Sequence, residues 1–442
     1  MNFDESLAYL LALGNEVSAM KLGLENIGKL LAALRHPEKN YLKIQIAGTN
    51  GKGSTCAFLE AICVNARIKT GVTTSPHLIS ITERVKIDGQ EISEKDFALH
   101  ATKIRDISET LVKKAQLEIV PTYFEQVTAI ALSAFAEAKV ELAILETGLG
   151  GRFDATTAAK AEIVAITPID FDHEQILGNT LAEIACEKAA IIRADTKVLA
   201  APQKREAENV IEGKCREVGV APIWAIPNVK LIENLGGGLL YLSFATEKAN
   251  YKADVSMRGK HQWTNATLAI NIAETLRDFD FKISKENVES GLETAEHRGR
   301  LEFWNSPAAP SILFDGAHNV AGAKALKEYL DEFVNQPITM IFGAMRDKNL
   351  SEIAEILFPK AKKIIFTKPD NPRSMETIDL MKFLPQDFVK KNVYQAETVE
   401  KAIKTAKEIS AAEDLICVTG SLYLVGEFQS MCPKSIERKT LA

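Results

Sequence analysis

LKIQIAGTNGKGSTCAFLEAICVNA, residues 42–66, is the stretch from which the rest of the chain can be read. An alternating apolar strand enters a turn containing Gly48, Gly51 and Gly53, and a helix with apolar residues at 58, 59, 62 and 63 leaves it. Glycines free the backbone so that successive N–H groups can face phosphate oxygens, the helix start adds partial positive charge, and Lys52 adds a mobile cation. The stretch therefore reads as a phosphate-binding loop, with the Ser54 hydroxyl suited to a magnesium ion. Its spacing departs from G-x-x-x-x-G-K-[ST], because Gly48 stands only three residues before Gly51 and Gly53 follows the lysine.

A chain of 442 residues exceeds one core at about 150 residues per domain, so two domains are expected. Apolar residues at 46% and charged ones at 25% are globular values, and a net charge of −6 gives no reason to expect nucleic-acid binding. Six scattered cysteines without a C-x-x-C pair read as thiols in a reducing compartment. The first residues lack a basic cluster and no apolar run reaches membrane-spanning length, so a cytoplasmic protein with no membrane partner is expected.

Outward from the loop, two helical patterns fill residues 3–35, and KTGVTTS gives a second strand stopped at Ser75-Pro76. Asp88-Gly89 signals a hairpin, and helices are expected at about 94–115 and 122–138. Ala143, Ile144 and Leu145 then run into Glu146, the pattern of a buried parallel strand that delivers a carboxylate beside a phosphate loop. A further buried strand, EIVAITPID, leads to Asp170, Asp172 and His173, and the next helix carries Lys188 among apolar neighbours. Strands alternating with crossover helices imply a doubly wound parallel sheet, which gathers Ser54, Ser75, Glu146 and His173 beyond strand ends at one side.

Residues 222–257 read as a small antiparallel insertion, and the composition breaks near Gly299, Pro307 and Pro310. Beyond it, SILFD, ITMIF, KIIFT and DLICVTG alternate with helices. The expected architecture is α/β: an N-terminal doubly wound P-loop domain with a parallel sheet and the small antiparallel insertion, residues 1–297, then a smaller C-terminal Rossmann-like α/β domain, 298–442. The second lacks a glycine fingerprint for a dinucleotide, so no NAD site is expected.

GTNGKGST, TTSPHL, ITERVKIDG, TYFE, ETGLGGRFDAT, HEQILGNTLAEIACEKAAIIR, GRLE, FDGAHN and GSLYLVGE occur in this order across nearly the whole chain. In that order they resemble folylpolyglutamate synthases and the bifunctional dihydrofolate synthases of bacteria, members of the Mur ligase superfamily. The resemblance implies ATP-driven amide formation between a carboxylate of dihydropteroate or a reduced folate and the amine of L-glutamate, through an acyl phosphate. It implies ATP and Mg2+ as cofactors.

By match to that pattern, Thr49, Asn50, Gly51, Lys52, Gly53 and Ser54 would hold the ATP phosphates. Ser75, Glu146 and His173 would ligate magnesium, although a histidine on so hard an ion rests on the resemblance alone, and a polar loop cap is the other reading of His173. Lys188 matches a lysine that becomes carbamylated, and would otherwise be an ordinary helix lysine. Asn265, Arg300 and Asp315 match positions holding adenine, phosphate and ribose, with the second domain closing over the nucleotide. The pterin would meet Met20, Lys21 and Leu22, the run Thr122, Tyr123, Phe124 and Glu125, and the run Phe153, Asp154 and Ala155. Rings at a helix start serve a core as readily as a flat ligand. The acceptor glutamate would meet His318 and Ser421. Thr157 and Arg298 stand where the pattern has asparagine and proline.

Two other readings compete. A peptidoglycan-precursor amino-acid ligase would resemble its relatives in carrying a UDP-sugar domain before the loop, and the 41 residues preceding this strand are too few for one. A non-ligating nucleotide-binding module, such as a switch GTPase, would be expected to show N-K-x-D, which is absent. A monomer is expected.

Overall fold

The computed structural model describes residues 1–14, 23–305, 309–346 and 348–432. By packing, the chain divides into two units. One comprises Met1–Asn228, Phe244–Tyr251 and Thr264–Ala295, the other Val229–Ser243, Lys252–Trp263 and Glu296–Ala442.

The first unit is built on a sheet of β1 (Leu42–Ala47), β2 (Thr70–Thr73), β3 (Lys86–Ile87), β4 (Gln90–Glu91), β5 (Leu142–Glu146), β6 (Ile163–Ile166), β7 (Lys197–Ala200) and β8 (Pro222–Trp224). Their order is β4-β3-β2-β5-β1-β6-β7-β8. The strand that feeds the phosphate loop is thus central, parallel to β5 on one side and β6 on the other, with Ile44 opposite Ile144 and Ile163. β3 runs antiparallel to β2 and β4, and its hairpin turns on Asp88 and Gly89 at φ +54° and +79°, the paired left-handed residues expected of a tight hairpin.

Because side chains alternate along a strand, Ile44, Ile46, Ile144 and Glu146 share one face, and Lys43, Gln45, Ala47, Ala143 and Leu145 share the other. The helix Lys52–Asn65 packs on β1, β2 and β5, and the helix Lys285–Thr294 packs on it so closely that a Cβ on Gly291 would lie 2.6 Å from Ile62 Cα. On the opposite face Ala143 and Leu145 join a cluster with Leu10, Ile27, Leu30, Phe97, Val127 and Phe135, drawn from four helices. Val164 and Ile166 join a second with Ile184, Ala185, Ala207 and Ile211. Helices on both faces explain why residues 142–145 and 163–166 are apolar throughout.

A separate sheet of β9 (Val229–Gly236), β10 (Leu239–Ala245) and β11 (Asn250–Val255) has the order β11-β10-β9. Links this short join only antiparallel neighbours. This sheet begins at Val229, later than the residue 222 expected from the sequence, because Pro222–Trp224 extends the large sheet beside β7.

The second unit's main sheet comprises β12 (Glu302–Trp304), β13 (Ser311–Asp315), β14 (Ile338–Phe342), β15 (Lys363–Thr367), β16 (Val393–Ala396) and β17 (Leu415–Thr419), in the order β12-β13-β17-β14-β15-β16. All pairs are parallel except β12 with β13. The register sets Asp315 opposite Thr419, so the carboxyl ends of β13 and β17 release Gly316–His318 and Gly420–Ser421 side by side.

Candidate active site

The phosphate loop is fixed by its neighbours in the first unit. Thr49 and Asn50 both donate backbone N–H groups to Pro168 O at 3.1 Å, and Thr49 Oγ1 donates to Asp170 O at 3.0 Å while accepting from Asp170 N at 3.1 Å. Gly48 has φ +147°, and a Cβ there would lie 1.9 Å from Thr167 Oγ1. Gly51, at φ +89°, caps the helix, and a Cβ there would lie 2.2 Å from Asn265 Oδ1. No side chain caps the start of this helix, so its first N–H groups face the loop together with Gly53 and Ser54.

Two amines converge on one carbonyl. Lys52 Nζ donates to Gly48 O and Thr49 O at 3.2 and 3.3 Å, and Lys188 Nζ donates to the same Gly48 O at 2.9 Å. Lys188 is buried, and that burial, reinforced by the charge of Lys52 and opposed by Asp172 and Asp154, pulls its pKa down to about 7. An uncharged amine is the nucleophilic form, and burial favours that form of this lysine.

Glu146, at the end of β5 and buried, accepts the Ser75 N–H at 3.0 Å through Oε2, and the Ser75–Pro76 bond is cis. The register sets Glu146 opposite Ile46, two residues before Gly48, which brings its carboxylate beside the phosphate loop. His173 has φ +52° before the short helix Glu174–Leu177; its N–H donates to Asp172 Oδ1 at 2.9 Å, and its Nε2 lies 3.9 Å from that oxygen. Ser75 and Glu146 thus form one pair of candidate oxygen ligands and His173 with Asp172 a second cluster. Among the described residues no three His, Cys, Asp or Glu side chains form a metal cage. A hard cation that keeps waters and takes one or two carboxylates plus substrate phosphates needs no such cage, and Glu146 beside this loop fits it.

The expected pterin segments divide between scaffold and surface. Met20, Lys21 and Leu22 lie outside the described residues. Thr122 and Glu125 form a capping box on the helix Tyr123–Ala138, and Glu125 Oε1 also accepts Ile27 N at 3.1 Å. Tyr123 is buried in the core, with the Arg84 guanidinium 5.5 Å above its ring, and Phe124 leans on Gly148, where a Cβ would lie 2.6 Å from the ring. Asp154 is buried and accepts from Gly148 N, Leu149 N, Thr156 N and Thr156 Oγ1 at 2.9, 3.0, 3.0 and 2.5 Å, so it shapes the glycine-rich turn. Ala155 is buried, and Phe153 is exposed.

Arg84 and His77 were given no role by the sequence reading, although both sit in its motifs. Arg84 Nε donates to His77 Nδ1 at 2.7 Å, and burial plus that guanidinium lower the His77 pKa to about 3, so the imidazole stays neutral and can accept. This arrangement holds a buried cation against an aromatic ring in the unit that carries the phosphate loop.

In the second unit, Asp315 accepts from Leu301 N and Ala317 N, each at 3.0 Å; burial raises its pKa and Arg300 opposes the rise. Arg300 Nη1 donates to Gly316 O at 3.3 Å, and His318 Nδ1 donates to the same oxygen at 2.7 Å, which fixes the tautomer and orientation of the ring. Gly316 is compact for a reason: a Cβ would lie 2.3 Å from Leu422 Cδ2. Ser421 is buried and caps the helix Leu422–Met431 by accepting Tyr423 N at 3.1 Å. Arg300, Asp315, His318 and Ser421 therefore gather at the carboxyl ends of β13 and β17. Asn265 belongs to the first unit, with its amide on the phosphate loop. Arg298 Nη2 donates to Gln429 Oε1 at 3.0 Å, so a side-chain contact holds the segment where the family pattern has proline.

Comparison with known proteins places this geometry in context. Residues 46–273 match the Mur ligase middle domain and residues 299–422 the Mur ligase glutamate ligase domain. The chain is 36% identical over 417 residues to the dihydrofolate synthase/folylpolyglutamate synthase of Bacillus subtilis, covering 93% of this chain and 95% of that one. Its structure is similar to that of Mycobacterium tuberculosis folylpolyglutamate synthase complexed with ADP and AMPPCP, with a TM-score of 0.87, 29% identity and coverage of 99% and 100% of the two chains. It is similar also to E. coli FolC in complex with DHPP and ADP, with a TM-score of 0.83, 27% identity and coverage of 97% of each chain.

Proposed function

The chain belongs to the Mur ligase family, in the group of dihydrofolate and folylpolyglutamate synthases, and from that premise we propose that it joins L-glutamate to dihydropteroate, to reduced folates, or to both, using ATP. The observation that carries the reading is the convergence of Lys52 and Lys188 on Gly48 O in a loop flanked by Glu146. Such a loop suits phosphoryl transfer to a carboxylate, because catalysis there is chiefly positioning and charge neutralisation.

In the proposed reaction a carboxylate oxygen of the pterin substrate attacks the γ-phosphorus of ATP and ADP leaves. The glutamate amine then attacks the acyl carbon, loses a proton, and expels inorganic phosphate. Gly51, Gly53 and Ser54 bind phosphate oxygens through the helix start, Thr49 and Asn50 shape the phosphate site from backbone N–H groups anchored on Pro168 O, and Lys52 moves from its loop carbonyls onto the transferring group. Glu146, Ser75 and His173 would hold Mg2+, which would supply charge neutralisation for the phosphates. Lys188 as a carbamate adds a carboxylate at the loop. Asn265, Arg300 and Asp315 serve the nucleotide. The pterin is taken by the 122–125 and 153–155 segments, with Thr122, Glu125, Asp154 and Ala155 shaping the site and Tyr123, Phe124 and Phe153 offering ring surface. His318 and Ser421 receive the acceptor glutamate.

We divide the chain at 297, and propose a cytoplasmic monomer acting on small molecules. Among the described residues no helix is long and apolar enough to cross a membrane. The test is phosphate release with ATP, Mg2+, L-glutamate and either dihydropteroate or tetrahydrofolate. The expected result is release that requires both the glutamate and a pterin; release independent of both, or none with either pterin, sinks the proposal.

A further inference from the structure

Gln45 is a polar side chain in an apolar place. It is fully buried on the central strand, and its register partners Leu145 and Val164 belong to the two separate apolar clusters of that sheet face. Its Nε2 lies 2.7 Å from Thr157 Oγ1, 3.0 Å from Thr156 Oγ1 and 3.2 Å from Thr147 Oγ1. Proton accounting fixes the amide's orientation. Thr156 gives its one hydroxyl proton to Asp154 Oδ1, and Thr157 gives its own to Gly151 O at 2.7 Å, so both oxygens can only accept, and Gln45 must present its NH2 to them.

Packing does not explain the amide. Gln45 Oε1 has no protein donor, and a methionine would occupy a similar volume without burying a polar group. What the amide does is join three segments that the chain keeps far apart. It stands on the strand that reaches Gly48 three residues later; Thr147 directly follows Glu146; and Thr156 and Thr157 anchor the turn whose Gly148 and Leu149 N–H groups rest on Asp154. We propose that Gln45 is a positioning residue that holds the 148–157 turn in place against the phosphate-loop strand, and thereby sets affinity for the pterin while leaving affinity for ATP. The inference rests on the reading of residues 153–155 as a pterin segment, and it deepens that reading by assigning pterin affinity to a buried network on the strand that feeds the phosphate loop.

The test is a set of full-length variants: Gln45→Met, Thr157→Val, the double variant, and Thr157→Ser, which keeps the oxygen. For both single variants the KM for the pterin should rise about tenfold or more while the KM for ATP stays within about twofold, since displacement of a substrate-positioning group by an ångström costs rates of this order. The double variant should be no worse than either single, because both remove one network, and Thr157→Ser should keep the wild-type pterin KM. Parallel rises in both KM values, no rise in either, or additive losses overturn the proposal. Hydrogen exchange supplies an arm that needs no turnover: in Gln45→Met, amides of 147–158 should exchange about tenfold faster while those of 48–60 do not change. Unchanged exchange at 147–158 overturns the proposal even in an active enzyme, whereas a wild-type chain that never releases phosphate defeats the ligase reading and leaves the exchange result to decide this one.

Discussion

Lys188 is where one residue's environment has the largest chemical consequence. Its folded pKa of about 7 lies below the ordinary 10.5, so between those values the unfolded chain binds more protons, and stability rises with pH across that window. The cost of burying the charged form is therefore present in full below about pH 7 and gone above about 10.5. In carbon-dioxide-free buffer, Lys188→Met should be more stable than wild type at pH 6, by on the order of 2–4 kcal/mol in denaturant titration, and should lose most of that advantage by pH 10. An advantage that grows with pH would contradict the burial argument. For function, Lys188→Ala should lose at least about 100-fold in kcat and recover part of it with added formate or acetate, as expected if a carboxylate is the working group. A folded variant that no small carboxylate rescues would count against that role.

Gly48 makes the complementary case, because nothing about its chemistry is used except its lack of a side chain. Gly48→Ala would drive a methyl to 1.9 Å from Thr167 Oγ1 at a φ of +147°. A loss of about 2–4 kcal/mol in stability, with ATP binding abolished, is the expected result. Calorimetry of nucleotide binding checks it, and wild-type affinity in the variant would mean that the loop is not held as described.

Among elements, legibility followed how much of each element's pattern was local. The strands at 42–47, 142–146 and 163–166 and the helices at 94–113 and 123–138 were readable, because each carries a long apolar run or a strong periodicity with a cap. β7, β12 and β16 are not legible as strands, and β8 is legible only as part of the insertion, since each has only three or four residues and takes its identity from the strand beside it. The residues of TYFE were legible as a group but not in their division of labour. Thr122 and Glu125 cap, Tyr123 enters the core and Phe124 packs on Gly148, and sequence alone could not separate these roles. Glu125→Ala removes acceptors from both Thr122 N and Ile27 N and should cost about 1–3 kcal/mol, measurable as a lowered urea midpoint. A change under about 0.3 kcal/mol would show that the cap and the tie to Ile27 carry no weight.

For the whole molecule, family membership and the α/β architecture follow from motifs in order and from the sheet topology. The partners that orient the motif residues Gly48 and the 148–157 turn, Thr167 and Gln45, come from segments distant in sequence, and even the nearby pair His77 and Arg84 is joined only by side-chain geometry that the folded chain brings into view. The central claim about the molecule is that the substrate carboxylate is activated by phosphorylation, and an isotope decides it. With dihydropteroate or tetrahydrofolate labelled by oxygen-18 in the reacting carboxylate, turnover with ATP and L-glutamate should release inorganic phosphate carrying one labelled oxygen. Phosphate released in step with amide formation but free of label would contradict the acyl-phosphate account.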